Sequence, residues 1–458
     1  MAATGKPGSV PYALMTSVVA RAIVAGGVFA GSVFAGGSVT PAAAGTAPAL
    51  RYTGTWRVWP GVVFRTFQTS GPGGPVLGDL LDVDLRDRRV TVGLLHPPVV
   101  AAREPVSSMA RAQRAVAGVN GDFFNISERH PGVRPTGSAT GPEIANGQAL
   151  KAAVPDGQRF GPRPPAGATT EDVIGVDAGG TGRMSSLRLT GTASVHGPLA
   201  PVNDPAGALT APSPTAPSAT APAGGGEGAQ DGDLRIELRG LNQYALPVDG
   251  VGAFTSLWGP VSRIRAVCGS DARRDDPCGD DTAEATVRRG VVTRVGDTVG
   301  QGPIPPDTTV LVGREAGAAT LRRLRPGDRV RLAYRLTGPV RLRFAVGGFA
   351  VLRDGAPPPG LDATVRAART AAGISRNGRH LYLVVADSHS ARSTGLTLAG
   401  LSALLRRAGA HDAMNLDGGG SSTFVMRTPG EPTVSVRNVP SARAERAVAN
   451  GIGIFVRT

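Results

Sequence analysis

The sequence predicts an α+β protein: a mixed sheet with helices, interrupted by a β-rich insertion. Three observations carry that expectation. Residues 369–426 read as strand, helix, strand and glycine loop. Residues 52–95 and 233–337 hold short runs in which apolar and polar residues alternate, the period-two signature of half-buried strands. Residues 199–232, rich in Pro, Ala and Gly, have the composition of an extended solvated linker. The expected divisions are an export signal over 1–44 and a first part of the main domain over 45–198. The linker follows, then the insertion over 233–337 and the rest of the main domain over 338–458.

At 458 residues, 41% hydrophobic and 18% charged, the chain is globular and long enough for two or three cores. The formal net charge of +14 is almost entirely arginine, because Lys6 and Lys151 are the only lysines. No run of arginines exceeds a pair and aromatics make up 4%, so neither a basic stripe nor a base-stacking platform is present. Nucleic acid is therefore not an expected partner. An anionic envelope polymer suits the charge better.

Leu14 to Val39 is apolar and rich in small residues, and Ala42-Ala43-Ala44 offers a cleavage site, the pattern of an export signal. Arg21 interrupts the apolar run, and it would become the basic flank if translation began at Met15. No later stretch is long and apolar enough to span a bilayer. Cys268 and Cys278, ten residues apart in a polar segment, read as a local disulfide in an exported chain.

From the N-terminal side, Thr55–Phe67, Leu80–Leu85 and Val90–Leu95 form a strand meander. Ser107 or Ser108 is positioned to cap a short helix through Ala115. A buried strand from Val116 then opens into a turn presenting Asn120 and Asp122, ahead of two phenylalanines. Glu143 lies in a turn-forming segment, Gly141 to Gly147. Within the insertion, residues 234–238, 284–292 and 329–336 alternate, and Pro326-Gly327-Asp328 is a turn. The strand over Phe344–Leu352 is broken by Gly347-Gly348, where a backbone must approach something closely.

The C-terminal fifth carries the strongest signal. Arg369 enters a strand of small residues, a suitable anion clamp. Residues 379–387 read as a buried strand ending in Asp387. Thr397 caps a helix with Leu398, Leu401, Leu404, Leu405 and Ala408 at helical spacing and Gly409 as its stop. A short strand from Asp412 then delivers Asp417 to Gly418-Gly419-Gly420-Ser421-Ser422, poor material for a helix or strand interior and good material for a ligand-approaching loop. Parallel neighbouring strands would set Asp387 and Asp417 at one sheet edge. Together with the Asn415 carbonyl they would also suit Ca²⁺ or Mg²⁺.

Taken in order, Val119-Asn-Gly-Asp-Phe-Phe, Val346-Gly-Gly-Phe, Arg369-Thr-Ala-Ala-Gly, Leu383-Val-Val-Ala-Asp, Gly395-Leu-Thr-Leu and Asn415-Leu-Asp-Gly-Gly-Gly-Ser-Ser-Thr resemble the phosphodiester glycosidase family. The resemblance covers roughly Ala117–Gly147 and Ala345–Phe455. It implies cleavage of a sugar-1-phosphodiester of the N-acetylglucosamine-1-phosphodiester type, by an exported or cell-envelope protein acting on a carbohydrate. Asn120, Arg369, Asp387 and the Asp417–Ser421 loop fall on motif positions. The sequence departs from the family after Asp387, where Ser388 and His389 replace a common Gly-Arg, so that His389 or Arg392 would have to supply that anion contact. Asp122 stands where many relatives have glycine.

Such a site needs phosphate recognition and a carboxylate facing the anomeric carbon. The residues expected to bind phosphate are Arg369, the N–H groups of Gly418, Gly419, Gly420 and Ser421, and the Ser421 hydroxyl. Asp417 or Asp387 would be the base or nucleophile, with Asp122 and Glu143 in reserve. Two other classes of protein fit the same residues. One is a non-catalytic envelope-polysaccharide binder, which would tolerate loss of the acids. The other is a metal-dependent phosphodiesterase.

Overall fold

The computed structural model describes residues 49–71, 73–196, 234–388, 392–441 and 444–457. The export segment, the 199–232 linker and His389 lie outside the described residues. Among the described residues the architecture is predominantly β, with 25 strands in four sheets and three α-helices. The α+β expectation is therefore corrected to a mostly-β fold. Every strand pairing there is antiparallel except Gly240–Leu241 with Val251–Phe254.

The reason lies in strand order. The seven-stranded sheet runs Arg51–Trp59, Val62–Gly71, Gly74–Asp84, His380–Ala386, Arg369–Ile374, Asp412–Asn415 and Phe349–Leu352. His380–Ala386 and Asp412–Asn415 do run parallel, but Arg369–Ile374 lies between them and is antiparallel to both. Antiparallel neighbours can be joined by tight turns, so the sheet does not need the helix-covered faces that a parallel sheet demands. The one long helix, Leu398–Ala408, forms as its spacing dictates. Thr397 Oγ1 accepts from the Gly400 N–H at 3.0 Å, Gly409 stops the helix at φ 108°, and Leu401, Leu404 and Leu405 are buried. Helix Val106–Gln113 also forms, without a serine cap. The Ser107 N–H and hydroxyl donate instead to Glu445, at 2.8 and 2.6 Å.

Two five-stranded sheets join distant parts of the chain. In one, Ala117–Asn120 lies between Phe424–Met426 and Gly451–Val456. In the other, Leu342–Gly347 lies between Glu143–Ala145 and Asp172–Asp177. The eight-stranded sheet takes Arg188–His196 together with strands from residues 234–337. The Cys268–Cys278 disulfide closes its loop there, as the cysteine spacing predicts. A continuous apolar core containing Phe64, Leu81, Phe123, Phe349, Leu405, Phe424 and Ile452 extends to Tyr244, Phe254 and Trp258 of the insertion region. No helix among the described residues is long and apolar enough to cross a membrane.

Gly347-Gly348 is the point where the chain leaves one sheet and enters another. A Cβ on Gly347 would overlap the Asp122 carboxylate and come within 2.8 Å of the Gly141 Cα. Neither neighbour has room to retreat in a close-packed interior. Gly347→Ala should therefore destabilise the fold by about 1–3 kcal/mol, read as a lowered denaturation midpoint. An unchanged midpoint would show that the Asp122 turn is free to shift.

Candidate active site

The seven-stranded sheet brings three predicted residues to one edge. Arg369 begins its strand opposite Ala386, while Asp387 and Asp417 follow the ends of the two flanking strands. The intervening strand then gives the two acids different surroundings. Asp387 Oδ1 accepts from Val439 N–H at 3.1 Å and Asn438 Nδ2 at 3.3 Å. Its charged neighbour is Asp79, which is pushed up to about 7 by burial and by Asp387, with Arg437 opposing. Burial raises Asp387 as well. Among the described residues, no group of three side chains placed to ligate a metal ion includes Asp387 or Asp417.

Asp417 is held by the turn after Ala117–Asn120. Its N–H donates to Gly121 O at 2.8 Å, and its carbonyl accepts from Asn120 Nδ2 at 2.7 Å. The other side of the Asn120 amide accepts from Thr370 Oγ1 at 2.7 Å and Thr423 N–H at 3.0 Å. Asn120 is fully buried and engaged by the protein on both sides of its amide, so it positions the loop. The Asp417 carboxylate accepts from Gly418 N–H at 3.0 Å. Burial pushes it up to about 7, and Asp122 adds to the rise, while Ser421 and Arg446 act against it.

Two of the three glycines have separate reasons. Gly419 sits at φ +58°, in the left-handed region. Gly420 has the Arg446 guanidinium against it where a Cβ would be, and Arg446 Nη1 donates to Ser421 Oγ at 3.3 Å. The N–H groups of Gly418, Gly419 and Ser421 already donate to Asp417 Oδ1, Ala368 O and Gly418 O. Of the four N–H groups expected to face an anion, those three are committed inside the protein.

Arg369 is only 4% exposed, and its Nε and one Nη donate to Leu396 O at 3.0 Å and Val365 O at 2.9 Å. Among the described residues it forms no ion-pair contact; burial lowers its pKa, and the nearby Asp362 carboxylate acts against that. Arg369, Asp417, Gly418 and Gly419 line a pocket of about 770 Å³, walled by Phe123, Leu398 and prolines, with Arg163 and Asp362 at its rim. A buried arginine facing a cavity can supply charge-assisted donors to it.

Asp122 and Glu143 lie beneath this surface. Asp122 accepts from Phe123 N–H at 2.8 Å and Gly141 N–H at 2.5 Å. Asn450 bridges the two acids, accepting from Asp122 N–H and donating to Glu143 Oε1, both at 2.8 Å. Lys151 is completely buried with them, its Nζ donating to Gly141 O at 2.5 Å and Ala152 O at 2.7 Å. Burial pushes Glu143 up to about 7 and Lys151 down to about 8. Neither acid lines the pocket. Sequence reasoning missed Arg446, Asn450 and the structural use of Lys151. The only trace of that use was Lys151's rarity, as one of two lysines in an arginine-rich chain.

Residues 281–455 match the phosphodiester glycosidase family model, which covers the C-terminal motif segments that suggested the resemblance. No curated protein matches the chain. Among solved structures, a hypothetical protein from Synechocystis superposes with a TM-score of 0.61 at 20% identity, over 90% of this chain and 64% of its own. This chain thus spans just under two thirds of that protein. A Burkholderia pseudomallei protein described as exported gives 0.61 at 19% identity, over 89% of this chain and 97% of its own. At such identities the likeness is one of fold. The zebrafish N-acetylglucosamine-1-phosphodiester α-N-acetylglucosaminidase catalytic domain, auto-inhibited by its pro-peptide, gives 0.38 at 14% identity over 90% and 89%, too loose to align positions.

Replacing Asn120 with Ala would strand the Asp417 carbonyl, the Thr370 hydroxyl and the Thr423 N–H in a dry interior. Each such group costs about 1–3 kcal/mol. The variant should unfold at clearly lower denaturant and lose the order of the glycine loop, seen as faster amide exchange at Gly418–Ser421. Unchanged exchange there would remove Asn120 from its positioning role.

Proposed function

We propose that the chain is an exported hydrolase cleaving a sugar-1-phosphodiester in a glycan or envelope polymer. One observation carries this reading: Arg369, buried with no carboxylate in ion-pair contact among the described residues, and Asp417, a buried acid pushed up to about 7, line the same pocket. The family match over 281–455 supports the reaction class, and the exported description of the Burkholderia neighbour accords with the apolar N-terminal stretch.

Arg369 binds the phosphate through the guanidinium edge that its carbonyl contacts leave open, and Arg163 at the rim adds charge. Water attacks the anomeric carbon and passes its proton to the Asp417 carboxylate. The C–O bond breaks, its electron pair stays on the phosphate oxygen, and a phosphomonoester leaves. Because that group leaves well, a strong general acid is not required. Burial holds Asp417 protonated below neutrality, so its base form accumulates only as pH rises through about 7. Asp387, supported by Asn438, braces the neighbouring strand end.

Incubation with an N-acetylglucosamine-1-phosphodiester in ¹⁸O water should place the label on the free sugar. Label on phosphate would instead mean P–O cleavage by a phosphodiesterase, and absence of turnover would favour a binding protein. The rate should rise with pH across about 7 and vanish in Asp417→Asn; a rate that falls over that range would make Asp417 an acid. Arg369→Lys keeps the charge and loses the fork, and should raise KM by about tenfold or more, the worth of one charge-assisted hydrogen bond. An unchanged KM would exclude Arg369 from phosphate binding.

A further inference from the structure

The outer face of the eight-stranded sheet carries a charge pattern that the site at Arg369 does not use. Strands Leu234–Glu237, Arg188–His196 and Arg329–Thr337 are consecutive neighbours in it. Side chains along each strand alternate between its two faces. Ala193, Val195, Ile236 and Val330 turn inward, into one apolar cluster with Ala318 and Leu321 of helix Ala316–Leu321. The residues between them turn to solvent, and four of these are exposed arginines: Arg235, Arg329, Arg331 and Arg335.

Strand register brings the four together. Ser194 pairs with Arg235 on one side and Arg331 on the other, while Arg329 and Arg335 stand opposite His196 and Thr190. Arg329 and Arg331, alternate residues of one strand, are spaced by roughly 6.6–6.8 Å along it. The lack of arginine runs in the sequence predicts no basic stripe. The period of two in a strand builds one from arginines that are never adjacent in sequence.

Among the described residues none of the four makes an ion pair, whereas Arg188, Arg239, Arg288 and Arg289 nearby are held by Glu171, Glu237 and Asp307. Glu237 is the only acid on the three strands, and Arg239 takes it at 3.5 Å. The face is thus positive without local compensation. Its charges lie along a line, with the Thr192 and Ser194 hydroxyls beside them. Guanidinium forks and hydroxyls are donors suited to phosphate oxygens. On these strands the one exposed large apolar side chain, Tyr334, alternates to the side of Val330, so the face has nothing to insert into a bilayer and no ring for a base to stack on.

We propose that this face docks a linear polyanion of phosphodiester-linked repeats, such as a polyol phosphate, whose charges recur at intervals comparable to alternate strand residues. It is a binding function separate from hydrolysis at Arg369 and does not depend on it.

Fluorescence anisotropy of labelled poly(glycerol phosphate) with the full chain, over a series of salt concentrations, tests this docking. Log affinity should fall against log salt with a slope of about −3, the value for roughly four charges on a flexible polyanion. Arg329→Ser/Arg331→Ser should lose about tenfold or more in affinity and about half the slope. Arg288→Ser/Arg289→Ser removes the same formal charge from arginines already held by Asp307, and should bind as the parent chain does. Equal loss in the two variants would mean attraction to net charge alone and overturn the proposal. Tighter binding to phosphatidylglycerol vesicles, polygalacturonate or duplex DNA than to the polymer would do so too. Residues 199–232 hold Asp204, Glu227 and Asp231 with no arginine or lysine. Binding that appears only once they are excised would give the face to that segment and likewise overturn polymer docking. Hydrolysis is read in no arm, so failure of the hydrolase assignment and failure of this one are distinct results.

Discussion

The carboxamide of Asn120 is the contact on which the rest of the site depends. It accepts from Thr370 on the central strand and from Thr423 beyond the glycine loop, and it donates to the carbonyl of Asp417. Residues 250, 297 and 303 positions away from it in sequence are thereby fixed around one planar group. A hydroxyl or a carboxylate could not do this, because the geometry needs donors on one side and an acceptor on the other. With the Asp417 backbone held there, Arg369 lies near Gly418 and the Arg446 guanidinium against Gly420.

Below that contact lies a second constraint, the buried group of Asp122, Glu143, Lys151 and Asn450. Charges taken out of water cost several kcal/mol each unless well paired, so such a group is weak evidence for stability and better evidence for a specified arrangement. Here the arrangement is the turn at Gly121–Phe123. The Asp122 carboxylate ties the Phe123 N–H of that turn to the Gly141 N–H of a separate segment, and the same acid contributes to raising Asp417. Glycine at 347 is what lets the Asp122 carboxylate lie against the crossing strand.

What could be read from sequence was local. The helix over 398–408, its threonine cap and its glycine stop depend on residues within one or two turns, and the structure has them where the spacing puts them. That Asp387 and Asp417 end strands at one sheet edge was legible, but on the expectation that those strands are neighbours, and Arg369–Ile374 lies between them. The fold class was not. Strand–helix–strand reads the same whether the two strands touch or have a third between them, and the strand that separates them precedes both in the chain. The separation of Asp387 from Asp417 follows from that single ambiguity. Arg446 and Asn450 escaped because their segment, Ala444 to Asn450, has no periodicity or spacing signal; their roles come from contacts with residues far away in sequence.

The sheet that carries Asn120 has a further consequence. Ala117–Asn120 is flanked on both sides by strands from the last thirty-odd residues, Phe424–Met426 and Gly451–Val456. Until those residues have left the ribosome, this strand has no partners there, and the turn bearing Asp122 lacks its Asn450. Pairing across such sequence distances must pay the entropy of closing a very long loop before any contact rewards it. The sheet, and with it the turn bearing Asp122, therefore forms only once segments about three hundred residues apart in sequence have met.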